Sequence, residues 1–251
     1  MPLADPETPE TPDPETPDPE TPDPAPPAPG SPPTGESLAD LAYRRIEDLV
    51  VTMELAPGAR VSEHGIAERI GVGRTPVREA LQRLAGDGIL VTRPRRGMRV
   101  REIDLATQLR VLEARRALEG TLVRRAALRR SPEQAARLRE TAAAFRRMRD
   151  APDPVPALRH DRRFVDLLLD SADNPFLASI IPLYALSRRF WLAHYARQVR
   201  FEPGAITDFH IRIGEAVAAG EEAEAGRLAD AFLDHVEAFA RFVGLDLAAS
   251  S

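Results

Sequence analysis

The sequence of 251 residues contains no cysteine and no lysine, so all 34 positively charged side chains are arginines. Without cysteine the chain has no disulfide framework, no thiolate ligand for a metal and no cysteine nucleophile. No apolar run approaches the roughly 18 residues that span a bilayer, and the chain does not open with a basic segment and an apolar core. We therefore expect a soluble cytoplasmic protein, whose length suits one large domain or two ordinary ones.

Charge is distributed unevenly along the chain, although the formal net charge is only -5. Residues 1–36 hold nine carboxylates, no arginine and 14 of the 24 prolines. The other 215 residues carry 34 arginines against 30 carboxylates, a net charge of +4. Between Arg74 and Arg101, eight arginines face only two carboxylates, an excess of six within 28 residues. That concentration predicts contact with a polyanion.

Variants of Pro-Glu-Thr-Pro-Asp repeat between Pro6 and Pro24. This composition has too few apolar side chains to offset the entropy lost on ordering, so residues 1–36 are predicted to be a disordered acidic tail with local polyproline II character. A tail that aids solubility is the favoured interpretation, and a dedicated interaction arm is the alternative. A third interpretation is that the tail competes with DNA phosphates for the arginine cluster.

Residues 37–103 are predicted to form a winged helix-turn-helix domain. Apolar periodicity, caps and breakers indicate three short helices: Leu38–Met53, Ser62–Gly71 and Gly73–Leu84. The alternating segments Ile89–Thr92 and Met98–Val100 flank an arginine-rich turn, Arg93–Gly97, which is a hairpin pattern. Three short helices followed by a hairpin are typical of a winged helix-turn-helix.

Residues 104–247 are predicted to form a separate bundle that is helical throughout. The apolar periodicity indicates six helices, over about 104–129, 131–149, 155–171, 174–197, 205–219 and 221–243. Ser131 and Asn174 each precede a proline at a first helical position, and Gly220 and Gly244 are predicted helix ends. About 140 helical residues can bury a core of their own, so the predicted fold class is mainly α.

Four side chains of the third predicted helix are candidates for contact with DNA. Arg74 and Arg78 lie four residues apart and therefore share one face, with Thr75 beside them and Gln82 one turn further on. The second helix of a helix-turn-helix enters the major groove with its N-terminal residues nearest the base edges. A guanidinium there can grip a phosphate or bind guanine O6 and N7 in a bidentate manner.

The predicted wing adds Arg95 and Arg96 at its tip, where Gly97 permits close approach of the backbone to DNA. The alternative interpretation is that these arginines merely solvate a surface, as most arginines do. The nucleic-acid interpretation is favoured because positive charge, helix register and wing coincide.

A series of motifs covers nearly sixty residues: Leu55-Ala56-Pro57-Gly58, Val61-Ser62-Glu63, Ile70–Leu81 and Pro94–Gly97. With this series, the segment Tyr43–Val100 resembles the DNA-binding domain of GntR-type bacterial transcription regulators. The resemblance implies operator contacts by Arg74, Thr75 and Arg78, and a wing contact by Arg96 and Gly97.

Two residues depart from the pattern of that family. Gly73 replaces the usual serine before the recognition helix, which removes a hydroxyl cap at a cost of a few tenths of a kcal/mol. His64 lies where some members use an arginine on the DNA backbone, so a neutral imidazole there would supply a weaker contact.

Further motifs follow in the predicted bundle: Glu113–Glu119, Asp161–Phe164, Asn174–Leu177 and His210–Val217. In this order they resemble the FCD effector domain of the FadR-type subfamily. The resemblance implies an all-helical bundle that binds a small organic acid and often a divalent metal. Arg115, Asp161, Asn174 and His210 are the candidate effector-binding residues.

Arg188 and Arg189 are further candidates for the effector pocket. An arginine inside an apolar bundle needs an anionic partner. For Arg115 that partner is either an effector carboxylate or one of its neighbours Glu113 and Glu119.

The metal ligands implied by the family are incomplete in this sequence. Metal-binding members place an aspartate and a histidine four residues apart on one helix, but here Asp161 is followed by Val165. His210 fits the next position, and His235 lies about one turn beyond the last. A divalent metal held by Asp161, His210 and His235 is one outcome, a metal-free effector pocket the second and ordinary structural histidines the third. The metal-free pocket is favoured because valine supplies no donor.

These features predict a homodimeric, ligand-responsive transcription regulator, more often a repressor by resemblance, that binds a pseudo-palindromic DNA operator and a small carboxylate metabolite. The linker Arg101–Asp104 is the expected place for ligand-driven change. The first alternative is an effector-independent DNA-binding protein whose bundle only dimerises. The second is a metal-dependent enzyme that uses Asp161 and His210, although no nucleophile elbow, phosphate loop or cysteine site supports it.

Overall fold

The structure is a computed structural model that describes residues 36–95, 97–195, 202 and 204–249. The predicted acidic tail, apart from Glu36, and the predicted wing residue Arg96 lie outside the described residues. Within them, nine α-helices, one 3-10 helix and one three-stranded sheet form the secondary structure. The predicted fold class, a winged helix-turn-helix followed by an all-helical bundle, is confirmed.

The first unit, residues 36–100, combines three helices with a small sheet. Its elements are α1 (Leu38–Val51), β1 (Arg60–Val61), α2 (Glu63–Ile70), α3 (Arg74–Gly86), β2 (Leu90–Arg93) and β3 (Gly97–Val100). The strands are antiparallel in the order β1-β3-β2, with Arg60 opposite Arg99 and Leu90 opposite Val100. The sequence pattern does not predict β1, because two residues are too few to show alternation.

Side-chain caps set the starts of the first two helices. The hydroxyl of Ser37 accepts a hydrogen bond from the backbone of Asp40, and that of Ser62 accepts one from the backbone of Gly65 at 3.2 Å. Gly71 closes α2 in the left-handed region, with φ of 64°. Gly73 caps α3 without any side-chain hydrogen bond, as expected for a position that lacks the hydroxyl.

One face of α3 is buried in the core of the first unit, and the opposite face is exposed to solvent. Val77 and Leu84 belong to the core of the first unit, together with Ile46 of α1. These side chains are at most 1% exposed, so the inner face of α3 is fixed by packing. Arg74 and Arg78 lie on the opposite, exposed face.

The bundle, residues 105–249, contains the remaining six α-helices and the 3-10 helix. They are α4 (Leu105–Arg129), α5 (Pro132–Met148), α6 (Val155–Ala172), the 3-10 helix (Pro175–Ile180), α7 (Ile181–Tyr195), α8 (Gly204–Ala219) and α9 (Glu222–Ala249). α4 packs along α9, and α5 packs along α8. Ser131 begins α5 with a complete capping box, in which Gln134 bonds back to the Ser131 backbone.

The helix predicted over about 174–197 is wrong in its first part. A 3-10 helix precedes α7, and the α-helical geometry begins only at Ile181. Pro182 has no N–H to donate to the carbonyl of Ala178, so the preceding turn cannot be a regular α-helix. The predicted end near Arg197 lies outside the described residues.

The predicted helix end at Gly244 is also wrong, because α9 continues to Ala249. A Cβ atom at Gly244 would overlap the side chain of Leu105. This glycine therefore permits close approach of α4 and α9 instead of terminating a helix. Gly220, by contrast, follows α8 with φ of 82°, which agrees with its predicted role as a stop.

The two units are joined by both apolar and ionic contacts. Ala185 of α7 belongs to the apolar core of the first unit, and α1 packs against α7. Glu47 of α1 pairs with Arg188 of α7 at 3.0 Å, and both side chains are buried. Among the described residues, no helix is both long and apolar enough to cross a membrane.

Candidate nucleic-acid interface and bundle cavity

The exposed face of α3 presents Arg74, Thr75, Arg78 and Gln82 to solvent, and we call these four residues the recognition surface. Arg74 begins α3 directly after Gly73. The free N–H groups and the positive dipole end of a helix N-terminus favour a phosphate at this position. The structure thus brings together four of the side chains predicted to contact DNA, on one solvent-facing surface.

Arg78 is held by a carboxylate that sequence reasoning missed. Its Nε and Nη2 donate to the two carboxylate oxygens of Glu63, each at 2.9 Å. Both side chains are largely exposed, at 61% and 40%, and hydrogen bonding from Arg78 lowers the pKa of Glu63. The two bonds use Nε and Nη2, so Nη1 is not engaged by Glu63. A guanidinium held in this way is oriented before it meets DNA.

His64 and Arg74 form a second link between α2 and α3. Nη2 of Arg74 lies 3.1 Å from Nδ1 of His64, and Nε2 of His64 lies 3.3 Å from Glu68. Arginine can only donate, so Nδ1 of His64 accepts and the ring proton belongs on Nε2, facing Glu68. His64 therefore supports Arg74 in the free protein, a contact that its predicted role on the DNA backbone does not include.

The wing places two of its predicted residues at an exposed turn. Arg95 and Gly97 are both exposed and adopt positive φ values of 61° and 73°. A positive φ is uncommon for arginine and routine for glycine, which identifies the tight turn between β2 and β3. Arg93 is also exposed at this end of the hairpin.

A small cavity lies inside the bundle, with a volume of about 40 Å³. We call it the bundle cavity. Its polar lining residues are Arg115, Asp161, Tyr184, Ser187, Arg188 and His210. Apolar side chains, including Trp191 and Phe232, complete the wall. This volume holds only a few water molecules and is far below the roughly 300 Å³ of a pocket for a drug-sized ligand.

Arg115 is fully paired inside the bundle. Its Nε and Nη2 donate to Glu119, at 3.0 and 3.2 Å, and Nη1 donates to the hydroxyl of Ser187 at 2.9 Å. Its guanidinium also lies 4.2 Å from the centre of the Tyr184 ring. Burial alone would lower the pKa of Arg115, but the charge and hydrogen bonds of Glu119, together with Tyr184 and Asp161, outweigh it and the pKa is raised. Of the two predicted acidic partners, Glu119 is therefore the one that pairs.

Asp161 lies between a histidine and an arginine. Its Oδ1 is 3.2 Å from Nε2 of His210, and its Oδ2 is 3.5 Å from Nη1 of Arg188. All three side chains are at most 8% exposed. Burial lowers the pKa of His210, and the nearby Asp161 opposes that shift only in part. His210 is therefore neutral near pH 7, and although its Nε2 lies close to Oδ1 of Asp161, that oxygen makes no aligned hydrogen bond within the described part of the chain.

Two other candidate effector residues lie elsewhere. Asn174 caps the 3-10 helix, where its side-chain oxygen accepts a hydrogen bond from the backbone of Phe176 at 3.1 Å. Arg189 donates to the backbone carbonyl of Glu102 in the linker, at 3.0 Å. Burial, with repulsion from Arg101, lowers the pKa of Arg189 to about 10. Neither side chain lines the bundle cavity.

The residues of the cavity do not fit a divalent metal. Within the described part of the chain, no three His, Asp or Glu side chains come close enough to share an ion. His235, the predicted third ligand, packs against the ring of Phe209, with centroids 5.6 Å apart. Val165 is buried in the apolar core where a ligand was expected, and Asp161 already neutralises the cation of Arg188. A second cation beside Arg188 would be repelled.

Comparison with protein families gives two matches. Residues 38–100 match the family described as bacterial regulatory proteins, gntR family. Residues 110–235, about half of the chain, match the FCD domain. The first match includes the recognition surface, and the second includes the polar residues of the bundle cavity.

Individual proteins that are similar to this chain are also named as transcriptional regulators or share its fold. The chain is 30% identical over 159 residues to the Nta operon transcriptional regulator of Aminobacter aminovorans, covering 61% of this chain and 74% of that protein. It is 39% identical over 85 residues to the HTH-type transcriptional repressor RspR of Escherichia coli K12, covering 34% and 37%. The solved structure of E. coli McbR/YncC has the same fold, with a TM-score of 0.68, 20% identity and coverage of 82% and 98%.

Proposed function

The chain belongs to the GntR family of bacterial regulatory proteins and carries an FCD domain, and from this premise we propose that it is a dimeric, ligand-responsive repressor controlled by a small organic acid. Membership makes it a DNA-binding transcriptional regulator and not an enzyme. One relative, RspR, is named a repressor, which favours repression over activation. A regulator of this kind acts in the cytoplasm, where bacterial DNA is found.

The exposed recognition surface is the observation that carries the proposal. Two guanidinium groups project from the first turns of α3, and each suits a phosphate or the O6 and N7 atoms of guanine. The pair between Arg78 and Glu63 is exposed, so DNA can replace Glu63 or share the guanidinium with it. Arg95 and Gly97 at the wing, with Arg96 as predicted, would contact an adjacent groove.

Selection from a library of random duplexes tests the DNA-binding part of this proposal. A dimer with two recognition helices should enrich a pseudo-palindrome whose half-sites lie about one helical turn apart. Loss of enrichment when Arg74 and Arg78 are both replaced by alanine would connect the sequence preference with the recognition surface. Enrichment of an asymmetric site, or of no site, would contradict the dimeric proposal.

The polar residues of the bundle cavity are the proposed effector site. Arg115, Arg188 and His210 supply donors for a carboxylate, although Glu119 and Asp161 occupy them in the free protein. A small acid must therefore displace one of these carboxylates and enlarge the cavity, for instance by moving Trp191 or Phe232. Thermal unfolding with a panel of small carboxylic acids tests this, because a ligand that binds the native state raises its stability. The rise should be lost in His210→Ala.

A second candidate function is an effector-independent regulator whose bundle only dimerises. It is favoured by the volume of about 40 Å³ and by the mutual pairing of Arg115 with Glu119. The same thermal panel separates the two candidates. An absence of any stabilisation across the panel, together with retained operator binding, would favour the effector-independent function.

Two contacts form the proposed route between the effector site and DNA binding. Arg188 joins Asp161 of the cavity to Glu47 of α1, so a ligand that displaces Asp161 also disturbs the attachment of α1. Arg189 joins α7 to the linker through the carbonyl of Glu102. An effector controls DNA affinity only by binding the two arrangements of the units unequally.

A further inference from the structure

A larger cleft lies between α1 and α6, where the first unit meets the bundle. Its volume is about 240 Å³, against about 40 Å³ for the bundle cavity. Its lining includes the buried residues Glu47 and Arg188 and the exposed residues Arg44 and Arg163. The cleft therefore connects the buried junction of the two units with solvent, and we call it the junction cleft.

The wall of the junction cleft is rich in arginine. Five arginines and three carboxylates line it, and Arg44, Arg159 and Arg188 also pair with the carboxylates of Glu36, Glu54 and Asp161 outside the wall. The carboxylates are already in use: Asp48 pairs with Arg159 at 2.9 Å, Asp166 with Arg162 at 2.6 Å, and Glu47 with both Arg162 and Arg188.

The two exposed arginines differ in their partners. Arg44 pairs with Glu36, which does not line the cleft. Arg163 has no carboxylate within 4.0 Å among the residues that the structure describes, since the three carboxylates of the wall pair with other arginines. An unpaired cation such as Arg163 in a partly enclosed cleft attracts an anion more strongly than the same charge on an open surface.

Buried hydrogen-bond donors in the cleft also lack acceptors. Nε of Arg162 and Nε of Arg188 make no hydrogen bond within the described part of the chain. Oε2 of Glu47, 3.2 Å from Nε of Arg162, is likewise without an aligned hydrogen bond. Glu47 thus attracts both arginines electrostatically but does not satisfy all their donors. A buried donor without an acceptor is costly, and an oxygen atom of a bound anion would supply the acceptor.

We propose that the junction cleft binds a small dianion, either a dicarboxylate or a phosphate monoester. Arg44 and Arg163 attract it at the open end, and Arg162 and Arg188 donate to it further in. Guanidinium groups bind carboxylate and phosphate oxygens with the same forked geometry, so both chemistries belong to the class. Its two negative charges can be shared between Arg163 at the open end and the free Nε donors of Arg162 and Arg188 further in. A volume below about 300 Å³ suits a ligand smaller than a drug molecule.

A dianion in the cleft competes with Glu47 for Arg162 and Arg188. Glu47 belongs to α1, which packs against the recognition helix α3. Binding therefore weakens the ionic attachment of the DNA-binding unit to the bundle, and linkage requires operator DNA to alter the affinity for the anion by the same factor. The inference goes beyond the proposed function, because it holds whether or not the bundle cavity accepts an effector.

Isothermal titration of the full chain with succinate, and separately with inorganic phosphate, tests the proposal. Arg44→Gln combined with Arg163→Gln should weaken binding at least about tenfold. Arg137→Gln combined with Arg139→Gln is the matched control, since both arginines are exposed on α5 and removal takes away the same charge. That control, and His210→Ala in the bundle cavity, should change the affinity less than about twofold. Circular dichroism checks that each variant is folded.

Glu47→Gln gives a test of opposite sign. Removing the competing carboxylate should tighten binding several-fold, although it weakens the junction. Saturable binding of succinate alone would identify the dicarboxylate class, and of phosphate alone the phosphate class; either supports the proposal.

Three results would overturn it. One is the absence of saturable binding for both probes. Another is an equal loss in the two double variants, which means unspecific attraction to positive charge. The third is a loss confined to His210→Ala, which would place the anion in the bundle cavity and leave the proposed function standing without this site.

Discussion

The arginines of the recognition surface and those of the bundle interior have similar partners in very different surroundings. Arg78 and Glu63 form a bidentate pair with side chains 61% and 40% exposed. Arg115 and Glu119 form a bidentate pair with side chains 3% and 2% exposed. Exposed pairs contribute about 0–1 kcal/mol, whereas breaking a buried pair costs about 3–5 kcal/mol. The first kind of pair can exchange its carboxylate for DNA, and the second maintains the fold.

The largest expected effect comes from breaking the buried pair. Arg115→Ala leaves Glu119 buried without its partner, so the free energy of unfolding should fall by about 3–5 kcal/mol in urea denaturation. Arg241→Ala is the matched control, because Arg241 and Glu237 have the same four-residue spacing on an exposed face of α9. That variant should change stability by less than about 0.5 kcal/mol. Equal effects of the two substitutions would refute the contrast.

Arg78→Ala should produce the opposite combination of effects. Loss of one bidentate contact to guanine reduces discrimination by about 1–3 kcal/mol, or about fivefold to 150-fold in affinity for the selected operator. Its stability should stay within about 0.5 kcal/mol of the wild type. Fluorescence anisotropy with the operator, beside urea denaturation, measures both quantities. A variant that loses stability but keeps its operator affinity would reverse the roles assigned to the two regions.

Acidification should destabilise the bundle through His210. Its pKa is lowered in the folded state by burial, so between that pKa and about 6.5 the unfolded chain binds more protons and stability falls with falling pH. Glu119 and Asp166, whose pKa values burial raises, act in the opposite direction. The informative quantity is therefore the difference between the wild type and His210→Gln.

The wild type should lose about 1 kcal/mol more than this variant between pH 7.5 and pH 5.5. Urea denaturation at each pH provides the measurement. Parallel pH profiles for the two proteins would mean that His210 is not neutral in the folded state.

The smallest expected effect concerns the wing. Arg95 is exposed at the turn, and its removal should reduce the slope of log affinity against log salt concentration by about one unit for a single phosphate contact. The weakening should be similar for specific and random duplexes. A change confined to one base of the operator would instead identify Arg95 as a base-reading residue.

Local signals in the sequence predict most of the fold. Ser37, Ser62 and Ser131 begin helices because each hydroxyl caps a backbone N–H nearby in the chain. Such short-range chemistry is visible in the residue order. The start of α7 near Pro182 and the end of α9 beyond Gly244 are harder to predict. Pro182 lies just inside α7, and Gly244 accommodates the side chain of Leu105, which is distant in the chain.

Partners in the candidate sites depend on tertiary packing and could be predicted only in part. Glu119 follows Arg115 by one helical turn, so its pairing is among the alternatives that the sequence leaves open. Glu47 meets Arg188 across 141 residues, and Glu63 meets Arg78 across a turn between helices. No periodic pattern marks either carboxylate as a partner. His235 is a further case in which tertiary packing decides the role of a residue. Its position in the sequence suggests a metal ligand, but its ring contacts Phe209.

The most direct test of the account is a paired measurement on Arg74→Ala combined with Arg78→Ala. Operator affinity and the free energy of unfolding are measured on the same preparation, with Arg137→Ala combined with Arg139→Ala as the control for lost charge. We predict that the first variant loses operator affinity by about a hundredfold or more and unfolds like the wild type, while the control does neither. Unchanged operator affinity in a folded Arg74→Ala and Arg78→Ala protein would contradict the assignment of α3 as the helix that reads DNA.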